Sequence, residues 1–138
     1  MLEHFLQLIL AAVLGGLVGM EREHKRKEAG LRTYAMISLG SALFAIVAFA
    51  NTDSGDPIRV VQAVAPGIGF IGAGVIIYRQ FRVEGLTTAA GLWVTAGIGL
   101  AVGVGLYWTA IFVSFLMILI LEGLRLIEER LFKSKPLA

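Results

Sequence analysis

No cysteine occurs in the 138 residues, which excludes disulfides and thiolate chemistry and says nothing about compartment. Charge is scarce too, at 16% of residues against about 25% in an ordinary soluble domain. Acidic residues are missing altogether from 33–50, 58–78 and 86–105. The two histidines, His4 and His24, stand outside any metal-ligand spacing, and no nucleophile–base pair or metal triad is spelled out. That sets a membrane enzyme aside. What the chain has in quantity is apolar: 57% of its residues, gathered into long blocks rather than alternating patterns, with 17 glycines. Glycine lowers helix stability and buries little in a water-soluble domain. In a bilayer, small residues let helix backbones approach closely. The chain reads as an integral membrane protein.

The apolar blocks predict an all-α bundle of five transmembrane helices, at about 5–20, 33–50, 58–78, 86–105 and 107–121, within a domain covering 1–121. The first block is followed, not preceded, by its basic cluster, so it reads as an uncleaved helix rather than a signal peptide. Asp56-Pro57 resembles an N-cap with proline in the first turn, and a third helix is expected to start there. Tyr107 and Trp108 suit a membrane interface. Residues 122–138 form an amphipathic helix and tail, with Leu124, Ile127 and Leu131 on one face, expected to lie on the membrane or under the bundle.

Orientation follows from the cations. Loop 21–32 holds five, the turn 79–85 holds Arg79 and Arg82, and the tail holds Arg125, Arg130, Lys133 and Lys135. With five spans these regions share one side, which leaves only Arg59 on the other. The positive-inside rule then puts the N-terminus outside and the C-terminus in the cytoplasm. At an offset of 55 residues, Gly30-Leu31-Arg32-Thr33 matches Gly85-Leu86-Thr87-Thr88, Gly19 matches Gly74, and Ala35 matches Ala90. Two hairpins of equal orientation, a parallel repeat of the kind some transporters show, would produce such a pattern.

The centre of the chain is Asp56 to Gly99, and within it Pro66-Gly67-Ile68-Gly69-Phe70-Ile71-Gly72-Ala73-Gly74. Its G-x-G-x-x-G spacing lacks the strand–helix context of a dinucleotide site, which rejects nucleotide binding. Pro66 beside Gly67 and Gly69 predicts an interruption of the third helix near 66–69. Small residues recur every four positions at Ala11, Gly15 and Gly19, at Ala65, Gly69 and Ala73, and at Gly91, Thr95, Gly99 and Gly103. With Gly67, Gly72 and Gly74 they are expected to serve close helix packing, in a compact bundle or a homo-oligomer.

Polar residues at or near membrane depth are few, and such groups usually face protein or water. Glu21, Arg22, Glu23, Arg32, Thr33, Thr87 and Thr88 gather at cytoplasmic helix ends, whereas Asp56, Arg59 and Gln62 lie at the outer end of the third helix. They read either as a network fixing helix ends or as a ligand or ion site. Asp53 and Asp56 offer oxygen ligands for a divalent cation such as Mg2+, although capping accounts for Asp56 without one. No other cofactor is called for. The basic loop, diluted by Glu21, Glu23 and Glu28, points to lipid headgroups rather than to nucleic acid.

The stretches GLVGMERE (16–23), AGLRTYAMISLGSALF (29–44), DPIRVVQAVAPGIGFIGAGVI (56–76) and VEGLTTAAGLWVTAGIG (83–99) resemble the MgtC/SapB family of bacterial inner-membrane proteins. The resemblance covers most of 15–105 and implies a five-helix membrane domain in the inner membrane. It also implies a link to low-magnesium adaptation and, for the family's namesakes, restraint of the ATP synthase during infection. On the matching positions it highlights Glu21, Arg22, Glu23, Gly30, Arg32, Thr33, Asp56, Arg59, Gln62, Gly67, Gly69, Gly72, Gly74, Thr87, Thr88 and Trp93. Longer members carry a soluble C-terminal domain of the ACT type, so regulation through it is expected to be absent or supplied by another protein. Pro66 stands where the family resemblance implies a small hydroxyl residue. The expected function is a membrane regulator acting through helix contacts with a larger complex such as ATP synthase. The alternative is a transporter or channel for magnesium or another small solute.

Overall fold

Long runs of Leu, Ile, Val, Ala and Phe bounded by charged or glycine-rich turns satisfy their backbone groups internally only as helices when no water is at hand. The computed structural model describes residues 1–50, 57–79 and 81–132 and contains five such helices. They are α1 (Leu2–His24), α2 (Leu31–Ala50), α3 (Pro57–Val75), α4 (Leu86–Gly103) and α5 (Tyr107–Phe132). All five are long and apolar enough to cross a membrane. Between α3 and α4 stands a small antiparallel hairpin of β1 (Ile77–Arg79) and β2 (Arg82–Glu84), in the register Ile77↔Glu84, Tyr78↔Val83 and Arg79↔Arg82.

Helix α4 is central and touches each of the other four helices. Helix α2 is pressed between α1 and α4, α5 lies against α4 and α1, and α3 rests on α4 with a lighter contact to α2. Half of an 18-residue stretch of α4 is buried, against 22% for α3. The seam around α2 is set by small residues. A methyl group on Gly15 would come within 2.6 Å of the Ser38 Cβ, and one on Gly99 would overlap the Ser38 carbonyl from the opposite side. Gly19 and Gly103 meet Tyr34 and Ala45 in the same way. Backbones so close gain dispersion contacts that larger side chains would prevent.

Four expectations need correcting. Helix α3 ends at Val75 rather than 78, because Ile77 to Arg79 leave the helix to pair with β2. It also runs unbroken through Pro66. The proline is exposed, and it withholds a single i→i−4 donor, the one that would reach the Gln62 carbonyl. Third, α3 does not bury its small-residue stripe. Its buried face is Val60, Val64, Ile68 and Gly72, while Gly67, Gly69 and Gly74 have open space where a side chain would stand. Bulky branched residues fill most of the seam; Gly72 alone of these glycines packs inward, against Ala89, and Gly67, Gly69 and Gly74 turn outward. Last, the amphipathic segment is not separate, since α5 continues without a break from Tyr107 to Phe132. Gly123 alone does not stop a helix flanked by strong helix formers, and an i,i+4 bond from Arg125 Nε to Glu129 Oε1 at 3.1 Å spans the segment.

Candidate functional site: the cation-rich helix ends

Helix α1 ends on Glu21-Arg22-Glu23-His24 and is closed by a Schellman turn. The Lys27 N–H donates to Arg22 O at 3.1 Å and the Arg26 N–H to Glu23 O at 3.0 Å, with Arg26 at φ 52°. The chain then turns back, and α2 begins beside the end of α1. The Leu31 N–H donates to Glu23 Oε2 at 3.0 Å, so a carboxylate of α1 caps the positive end of α2. Gly30 leaves the room that this carboxylate occupies.

Arg22 is the centre of the site and is only 4% exposed. Its Nη2 donates to Thr88 Oγ1 of α4 at 3.4 Å, and its Nη1 lies 3.5 Å from Glu21 Oε2. The Thr88 hydroxyl donates to Glu28 Oε2 at 2.5 Å, and the Tyr34 hydroxyl of α2 donates to the Thr88 carbonyl at 3.4 Å. Three helices and the connecting loop therefore meet through one threonine. The hydrogen bond from Thr88 holds the Glu28 carboxyl below the usual carboxylate range, aided by a backbone hydrogen bond and the nearby cations Lys27 and Arg22. Lys25 Nζ reaches Glu122 Oε1 at 3.1 Å and ties in α5. Arg22 Nε and Glu21 Oε2 are buried without a hydrogen-bond partner among the described residues. Beside the cluster opens a polar cavity of about 340 Å³, lined by Glu23, Arg26, Lys27, Glu28, Gly30, Arg32 and Thr33.

The polar residues singled out in the sequence are thus divided. Glu21, Arg22 and Thr88 come together, Glu23, Arg32 and Thr33 border the adjoining cavity, and Thr87 is exposed. Arg59 and Gln62 lie at the opposite end, on exposed positions of α3. Asp53 and Asp56 lie outside the described residues. Sequence reasoning missed Glu28 and Tyr34, and it also missed Gln7. At the far end of the bundle the buried Gln7 amide donates to Val102 O at 3.2 Å and to the Tyr107 hydroxyl at 3.1 Å, and His4 Nδ1 lies 3.1 Å from Gln7 Oε1. A lone glutamine inside an apolar block was the available signal.

Between α2 and α3 runs an apolar groove of about 830 Å³. Met36, Ile37 and Phe44 face Val60, Val64 and Ile68 across it, with Thr33 near one end and Arg59 near the other. Gly40 and Gly67 line it with nothing against them.

The family model for MgtC matches residues 8–130, from within α1 to within α5. The chain belongs to the MgtC family. It is 46% identical over 137 residues to an Escherichia coli K12 protein named "Putative magnesium transporter YhiD", an alignment covering 94% of this chain and 64% of that protein. It is 38% identical over 137 residues to Protein SrpB of Synechococcus elongatus, covering 89% of this chain and 75% of SrpB. To Protein MgtC of Brucella abortus it is 48% identical over 85 residues, covering 60% of this chain and 35% of that protein. The chain therefore spans less than two thirds of the length of YhiD and about a third of Brucella MgtC. No solved structure matches it significantly.

Proposed function

We propose that the chain is a multi-pass regulator of the bacterial inner membrane, linked to low-magnesium adaptation, that works by receiving a partner's transmembrane helix in the groove between α2 and α3. The observation that carries this reading is the pairing of Gly40 and Gly67 along that groove, both with open space where a side chain would stand. Small residues on two facing helices let a third backbone approach closely, which is the main source of attraction between helices in lipid. Family membership supports the magnesium link, and the family resemblance points to a complex such as ATP synthase as the partner. A second copy of this chain entering the same groove would instead give a homo-oligomer.

The test compares two glycines. Gly67→Leu places bulk in the groove from a position whose added Cβ meets nothing within 4 Å, so the purified variant is expected to unfold at the wild-type temperature while failing to restore growth in low magnesium. Gly99→Leu is driven into the Ser38 backbone and is expected to lose the fold itself. Cross-linking from a single cysteine at Gly67 then distinguishes a heterologous partner from a dimer by mass. If Gly67→Leu supports growth as well as wild type, the regulator reading is wrong.

Transport of magnesium is the second reading, favoured by the name that YhiD carries. Saturable magnesium uptake into proteoliposomes holding only this protein, lost in Gln62→Ala, would establish it in place of regulation.

A further inference from the structure

The hairpin between α3 and α4 carries a combination that its own fold does not use. Phe81, at its tip, is 93% exposed and holds φ 67°, a left-handed backbone that is unfavourable for a bulky residue. Asparagine or glycine would make the turn without that cost and without an apolar ring in the open. Tyr78 and Val83 are cross-strand partners on one face, 68% and 51% exposed. The register sets Arg79 directly opposite Arg82, a like-charge juxtaposition that weakens a strand pair. Arg82 forms no ion pair among the described residues. The exposed rings and the facing arginines are unfavourable in water and favourable against an apolar surface fringed with negative charge.

Its place in the molecule supplies such a surface. Helix α3 has 19 residues, about 28 Å of rise, and so matches the ~30 Å hydrocarbon layer. Ile77 to Glu84 therefore begin at the hydrocarbon boundary, and three-residue strands extend only about 10 Å, across the depth of the headgroup layer. The base of the hairpin is fixed: Gly85, at φ 86°, opens α4 against the Val75 carbonyl, where any side chain would collide. The hairpin is thus held at a set position rather than swinging freely from a linker.

We infer that the Ile77–Glu84 hairpin is an anchor for anionic lipid headgroups on the cation-rich side of the bundle. The Phe81 and Tyr78 rings enter the interfacial layer, and Arg82 pairs with lipid phosphates. Aromatic rings favour this depth, and arginine keeps its guanidinium among headgroups while its stem stays apolar. Each arginine near an anionic surface adds about 1 kcal/mol, or roughly a fivefold preference for anionic over neutral lipid.

Because the chain has no cysteine, Phe81→Cys provides a single site for a polarity-sensitive fluorophore. The labelled full chain is placed in nanodiscs of pure phosphatidylcholine or of phosphatidylcholine mixed with phosphatidylglycerol. The expected result is blue-shifted emission and protection from iodide quenching in the anionic discs. That protection should weaken with added salt and be lost when Arg79→Gln and Arg82→Gln are combined. Equal iodide access in both discs overturns the inference. Protection that is identical in detergent and in both discs also overturns it, since the tip would then rest on its own chain. A label exposed in both discs yet shielded in native membranes would show a protein partner instead of lipid. Thermal unfolding of each labelled sample checks that the helices remain intact.

Discussion

Glu28 and Arg26 show how single residues at the cation-rich end set its behaviour. The Thr88 hydroxyl favours the ionised Glu28 carboxylate, so the folded-state pKa lies below the unfolded one. The stability this adds is therefore fully present above the unfolded pKa and is lost as pH falls through the folded pKa. Glu28→Gln is expected to lower the unfolding temperature of the detergent-solubilised protein at neutral pH and to make no difference in acid; a gap between the two proteins that persists in acid would contradict this. Arg26 occupies the left-handed closing position of α1 at φ 52°. Arg26→Gly is expected to stabilise by about 1 kcal/mol, read from chemical denaturation, because glycine takes that conformation without strain. Glu28 was unreadable as a site residue because its partner lies 60 positions away and its neighbours are cations, among which it looked like mere dilution. Arg22 was readable because a charge directly after an apolar block has few places to go.

At the scale of elements, the helices followed from apolar blocks, and their faces followed only in part. The matched motifs at an offset of 55 do mark corresponding starts, with α2 beginning at Leu31 and α4 at Leu86. Yet Thr88 is buried at the centre of the site while its counterpart Thr33 is exposed. Spacing of small residues located the packing faces of α1 and α4 but misplaced that of α3, where Val60, Val64 and Ile68 share the same four-residue period as the glycines. Period alone does not say which of two stripes faces inward. The close of α4 is likewise a long-range matter. Val104 and Gly105 form a Schellman turn, with the Leu106 N–H donating to Ala101 O at 2.8 Å and the Gly105 N–H to Val102 O at 3.0 Å, and Gln7 of α1 adds a second donor to that Val102 carbonyl. Gln7→Ala is expected to cost about 1–2 kcal/mol in thermal unfolding and to speed amide exchange at 103–107. Unchanged exchange there would deny Gln7 this capping role.

For the whole molecule the contrast is between a closed half and an open one. Helices α1, α2 and α4 are in backbone-close contact through Gly15, Gly19, Gly99 and Gly103, whereas α3 leaves Gly67, Gly69, Gly74 and a groove unoccupied. The different outcomes expected for Gly99→Leu and Gly67→Leu are this contrast put to experiment: one substitution strikes the fold and the other a surface. The membrane bundle was legible because composition and cation placement are properties of the entire chain. The groove was not, because it depends on how lightly α3 leans on α2.

The position of Ser38, touched by Gly15 of α1 on one side and by Gly99 of α4 on the other, also has a meaning in time. A ribosome makes α1 and α2 first, and Gly99 emerges about sixty residues after Ser38. At ~5–20 residues per second this leaves roughly 3–12 s in which α2 has α1, and later α3, but not yet α4 beside it. Through that interval the serine side of α2 faces lipid or the insertion machinery, and quality control sees a half-built protein. The α2–α4 seam is one that synthesis must leave open until most of the chain is made.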